Sequence, residues 1–105
     1  MDVTLNTATS GMQAAVTRQN VTAHNIANAV TPGFQQMNTQ QAEMAPGGVR
    51  ITGYMRTPNP NPRESGTDLA QQMVNLKINQ NDFTANTKVF KVKDKMIGEA
   101  IDLIA

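Results

Sequence analysis

Residues 67–105 read TDLAQQMVNLKINQNDFTANTKVFKVKDKMIGEAIDLIA. Every third or fourth position forms a row: Leu69, Met73, Leu76, Gln80, Phe83, Thr87, Phe90, Asp94, Ile97, Ile101, Ile104. Steps of four and three alternate without a slip, which is a heptad seam. One of its two positions is apolar throughout: Leu69, Leu76, Phe83, Phe90, Ile97 and Ile104. The pattern predicts a helix from an N-cap at Thr67, with Asp68 in the first turn, to about Leu103, a length of roughly 55 Å. Propensity alone does not hold such a helix in water, so the seam must be covered. A second stripe, Val74, Ile78, Ala85, Val89, Val92, Met96, Ala100 and Leu103, runs along another face. One partner helix cannot cover both stripes, so the pattern calls for a multi-helix environment. Gln80, Thr87 and Asp94 recur at one-heptad spacing within the seam. Buried polar groups there cost stability and fix register.

The nearest partner is upstream. Residues from about Thr4 to Ala29 carry a weaker seam: Leu5, Ala8, Met12, Ala15, Gln19, Ala23 and Ile26. Gly11 with Ala8, Ala14 and Ala15 leaves a thin surface on which another helix can lie close. Thr31 before Pro32 is steered out of helical dihedrals, and Pro32-Gly33 suits a type II turn with Gly33 at positive φ. Between the helices, Val49 to Arg56 alternates as a strand, Gly53 excepted, and its available partner is the 34–44 segment. A lone hairpin is marginal in water, so it docks on the helices or orders on assembly. Thr57-Pro58-Asn59-Pro60-Asn61-Pro62 reads as a stiff, extended spacer.

Composition narrows the function. The chain has 105 residues, net charge +1 and no cysteine. That bounds it to a single domain with a marginal core and no thiol chemistry. Asn and Gln total 20 against 17 ionised side chains, and residues 1–33 carry only Asp2 and Arg18 as formal charges. An almost uncharged amide-rich helix reads as a surface that is covered in the working state. No run is long enough to span a membrane, and Met1 to Ala15 lacks the regions of a cleaved signal peptide. His24 has no second His or Cys for a metal site, and the scattered acids offer no general acid/base pair. Lys88, Lys91, Lys93 and Lys95 have Asp94 among them and read as a solvated face rather than a nucleic-acid patch. The reading is no enzyme, no cofactor, no metal, no nucleic acid and no membrane insertion.

Two motifs then carry a resemblance. Ser10 to Ala15, followed by Asn25, Ile26, Ala27, Asn28, Thr31, Gly33 and Phe34, resembles the N-terminal signature of bacterial flagellar axial proteins, the rod and hook family. Asp68 to Leu76, including Asn75, resembles that family's C-terminal block, and Phe83, Ala85, Asn86, Lys88 and Val89 resemble the stretch after it. Gln19, His24 and Asn81 depart from the pattern, and the middle is short, as in proximal-rod members. The resemblance implies terminal helices paired as a hairpin, and many copies stacked into a hollow tube. It also implies export through the flagellar type III apparatus without a cleaved signal, to the periplasmic rod of the basal body.

The expected fold is mainly α, a long antiparallel coiled-coil-like two-helix hairpin with a short β-hairpin or irregular connection, forming a helical-bundle oligomer. Its parts are residues 1–31, an assembly helix; 32–66, turn, hairpin and spacer; and 67–105, the long heptad helix. The expected interface is Leu5, Met12 and Ile26 with Leu69, Met73, Leu76, Phe83, Phe90, Ile97, Ile101 and Ile104. The expected role is a structural rod subunit, with other copies of itself, other axial proteins and the export apparatus as partners. The competing reading is a soluble helical adaptor or secretion-linked regulator that binds one flagellar partner through the same seam.

Overall fold

The structure, a computed structural model, describes residues 3–45 and 47–104, and for Ile104 the backbone alone. Four elements follow in order: α1 (Val3–Ala27), β1 (Met37–Glu43), β2 (Val49–Arg56) and α2 (Leu69–Ile104). The helices lie antiparallel, Asn25 beside Gln72 at one end and Met12 beside Thr87 further along. The molecule is a rod of 67 × 24 × 13 Å. This is the mainly helical hairpin expected from the two seams, with a short β-hairpin between them.

α1 presents small side chains to its neighbours. Its buried apolar residues are Leu5, Ala8, Ala14 and Ala15, beside the buried polar Ser10, Thr22 and Asn25. After Ala27 the chain turns. The Phe34 amide donates to the Thr31 carbonyl at 3.2 Å across Pro32-Gly33, and Gly33 has φ of 75°. Glycine takes that dihedral without the Cβ clash other residues meet.

β1 and β2 pair antiparallel, Met37 opposite Arg56 and Glu43 opposite Val49, with an irregularity at Gln40/Gln41. Gln40 faces Gly53 and Gln41 faces Ile51, so Thr52 is the extra residue of a bulge. Its hydroxyl donates to the Gln40 carbonyl at 3.2 Å. This explains the break in alternation at Gly53. The hairpin docks on α1 rather than standing alone. Ser10 Oγ accepts from the Val49 amide at 3.2 Å while donating to the Thr7 carbonyl at 2.8 Å.

The proline-rich segment is not the extended spacer its composition suggests. Asn59 Oδ1 accepts from the Asn61 amide and Asn61 Oδ1 from the Arg63 amide, at 3.1 and 3.0 Å. Asn59 Nδ2 donates to the Phe34 and Glu64 carbonyls. The Gly33 amide donates to Glu64 and the Gly66 amide to Phe34, at 3.0 and 2.8 Å. The asparagines between the prolines fold the loop back and pin it to the turn after α1.

The cap of α2 also differs by one residue. Asp68, not Thr67, is the N-cap: its Oδ1 accepts from the Gln71 amide at 3.1 Å, and its carbonyl accepts from Gln72 at 3.0 Å. Thr67 instead donates to the Asn25 carbonyl at 3.1 Å, tying the start of α2 to α1.

Candidate assembly interface

The face of α2 that meets α1 is polar. Gln72 and Asn79 are buried, and Asn86 is half-buried above Gly11. These three amides stand one heptad apart. Asn25 Nδ2 donates to Gln72 Oε1 at 3.1 Å. Asn79 Oδ1 accepts from Arg18 Nε at 3.1 Å, and Asn79 Nδ2 approaches Thr22 Oγ1 at 3.4 Å. Arg18 continues to Asp82 at 3.0 Å and to Gln41 at 2.9 Å, bridging α1, α2 and β1. Asn86 packs so tightly that a Cβ built on Gly11 would lie 2.6 Å from its Nδ2. Met12 Sδ meets the Thr87 hydroxyl at 3.5 Å.

The expected packing of Leu69, Leu76, Phe83, Phe90 and Ile97 against α1 is therefore corrected. α2 is turned by about one residue, near 100°, from that arrangement. The interhelical polar row is Gln72, Asn79 and Asn86, with Thr87 touching Met12 at its edge, while Gln80 and Asp94 are exposed. Of the seam, Leu76 and Thr87 are half-buried; Leu69, Met73, Phe83, Phe90, Ile97 and Ile101 are exposed, Met73 by 62% and Phe83 by 41%. Ile104 lies outside the described side chains. The physical reason is in α1. Gly11, Ala14 and Ala15 make a shallow surface with no pocket for a phenylalanine, while Arg18, Thr22 and Asn25 present groups that would be buried unpaired against one. Amides at 72 and 79 satisfy them, and Asn86 fits over Gly11. On α1, Leu5 is buried, and Met12 and Ile26 are half-buried.

The motif residues hold the turn region. Asn25 clamps β1: its Oδ1 accepts from the Met37 amide at 2.9 Å and its Nδ2 donates to the Met37 carbonyl at 2.7 Å. Asn28 Nδ2 donates to the His24 carbonyl at 2.9 Å and its Oδ1 accepts from the Thr31 hydroxyl at 3.1 Å. Phe34 meets His24 edge-on, ring centroids 5.5 Å apart. Asn75 is half-buried, and Asn86 Nδ2 donates to the Asp82 carbonyl at 2.8 Å. Gln72, Asn79, Gln36 and Ser10 escape the sequence reading. The signal for the first two was present, an amide every seventh residue, but it stood beside a stronger apolar row.

Outside the hairpin, α2 leaves its apolar seam open. A groove of about 390 Å³ runs beside it, lined by Ala15, Val16, Gln19, Asn79, Gln80, Phe83 and Thr84. Within it Gln19 Oε1 is buried without a partner. Among the described residues, no cluster of acidic, His or Cys side chains could hold a metal ion. No described helix is long and apolar enough to cross a membrane.

No curated protein matches the chain. A family model does: residues 5–35 match the family described as flagella basal body rod protein. The matched span covers most of α1 and the turn that Asn28, Gly33 and Phe34 build. It supports a structural rather than an enzymatic role, and a flagellar location. Over that segment, 31 of its 105 residues, the chain is similar to the flagellar rod family.

Proposed function

We propose that this protein is a subunit of the basal-body rod that self-assembles through its helices into the axial tube. It joins other rod components and passes unfolded through the flagellar type III apparatus. The observation that carries the reading is the division of α2. One face is consumed by a polar, close-fitting contact with α1, and the apolar seam is left uncovered along some 30 residues of helix. Exposed apolar area of that extent marks a protein interface. Heterologous contacts that do not close generate filaments, and a tube is their helical form. A polar hairpin face also suits a chain that must unfold for passage, since it adds little apolar burial to the barrier.

The test is fractionation. Tagged protein expressed in its native cell is expected in detergent-purified basal bodies, in stoichiometry with other rod components, and its deletion is expected to stop rod completion. Recovery solely from the cytoplasm, in a defined complex with one other protein, overturns the reading in favour of the adaptor.

A further inference from the structure

The uncovered seam of α2 carries its own register. Its one ionised residue, Asp94, is exposed, and its other polar members are Gln80 and Thr87. Let a second α2 lie parallel along the seam, displaced by whole heptads. In register, Asp94 meets the other Asp94. One heptad away, Ile101 of one copy meets Asp94 of the other. Three heptads away, Asp94 meets Met73. Each sets a carboxylate against like charge or apolar surface, which is costly once water is excluded. At two heptads, about 21 Å, Asp94 meets the amide of Gln80, which makes no side-chain hydrogen bond among the described residues. Ile97 then meets Phe83, and Ile101 meets Thr87. An antiparallel alignment that brings Ile101 onto Phe83 sets Asp94 against Phe90 and fails by the same criterion.

Two further observations agree with the two-heptad offset. Gly98 lies inside α2, where glycine costs about 1 kcal/mol relative to alanine. A Cβ there would meet nothing within 4 Å, so the isolated chain gives no reason for it. In the offset pair Gly98 comes to the level of Thr84, beside Ala15 and Val16 of the other copy's α1, where a missing side chain permits close approach. Lys91, on the same flank, comes near the level of Gln19, whose Oε1 is a buried acceptor without a donor.

We propose that the end of α2, through Asp94, Ile97, Gly98 and Ile101, docks in parallel on Gln80, Phe83 and Thr87 of a second copy, two heptads out of step. Tip and receiving site stand about 21 Å apart on one straight helix, so they cannot meet within a chain. The contact is heterologous and open-ended. The inference rests on the self-assembly reading and supplies its contact.

The protein has no cysteine, which makes cross-linking clean. Purified full-length Phe83→Cys and Ile97→Cys, which keep Asp94 and Gln80, are each oxidised alone, then mixed, and the double variant is oxidised by itself. The expected result is no dimer from either single variant, a disulfide dimer from the mixture, and a ladder of multimers from the double variant. A dimer of either single variant with itself, or a double variant that stays monomeric, overturns the proposal. Gly98→Leu serves as control: helix content and unfolding midpoint are retained while the ladder is lost, and an undiminished ladder overturns the close approach at Gly98. Basal-body fractionation reads cellular location and cross-linking reads the contact, so either can fail without the other.

Discussion

At the scale of single residues, Asn25 does the most. Its amide closes both backbone groups of Met37 and reaches Gln72, itself 1% exposed. Asn25→Ala leaves the Met37 N–H and C=O short of partners in a place water reaches poorly. The expected loss is about 3 kcal/mol, read from the urea midpoint at unchanged slope. Gln72 offers a more balanced change. Its Nε2 is buried with no acceptor, while its Oε1 accepts the second Asn25 amide hydrogen. Gln72→Met keeps the volume, removes one orphan donor and strands another on Asn25, so a change within about 1 kcal/mol is expected in the same titration. The Arg18–Asp82 pair contributes less than its geometry suggests, because Asp82 is half exposed.

At the scale of elements, the helices approach through small residues. Gly11 is the point of closest contact, under the Asn86 amide. Gly11→Ala gains about 1 kcal/mol of helix propensity and displaces a flexible amide, so its net effect is near zero. Gly11→Leu cannot be absorbed. It separates α1 from α2 and costs about 2 kcal/mol or more, seen as a lowered thermal midpoint and slower sedimentation of a more open rod. The hairpin obeys the same local logic. Ser10 ties β2 to α1, and the bulge at Thr52 bends β2 where Gly53 interrupts its alternation.

For the whole molecule, the decisive fact is which face of α2 each neighbour takes. The isolated chain buries few large apolar side chains, and it keeps its heptad seam exposed. Phe83 is a sharp probe of this division. Read as a hairpin core residue, Phe83→Asp should cost several kcal/mol by burying an unpaired charge. At 41% exposure it sits on the shoulder instead. The expected outcome is a change below about 1 kcal/mol in the stability of the isolated chain, together with loss of multimers in sedimentation. A large loss of stability in the monomer would place Phe83 in the hairpin core after all.

The sequence by itself determined the elements. Heptad steps, Pro32-Gly33 and the alternation of Val49 to Arg56 are local signals, and local signals state what a segment forms and where it ends. They also called for more than one neighbour on α2, because two apolar stripes cannot share a partner. Only the tertiary structure decided which neighbour takes which face. A heptad row specifies a stripe that wants cover and is silent on whose cover. The choice fell to α1, whose Gly11, Ala14 and Ala15 exclude bulk and whose Arg18, Thr22 and Asn25 demand polar partners. Those residues drew Gln72, Asn79 and Asn86 inward and turned the phenylalanines and isoleucines out. The proline-rich loop shows the same limit. Its stiffness was legible, but the side-chain bonds of Asn59 and Asn61 that fold it back exist only once Phe34 and Glu64 are beside them.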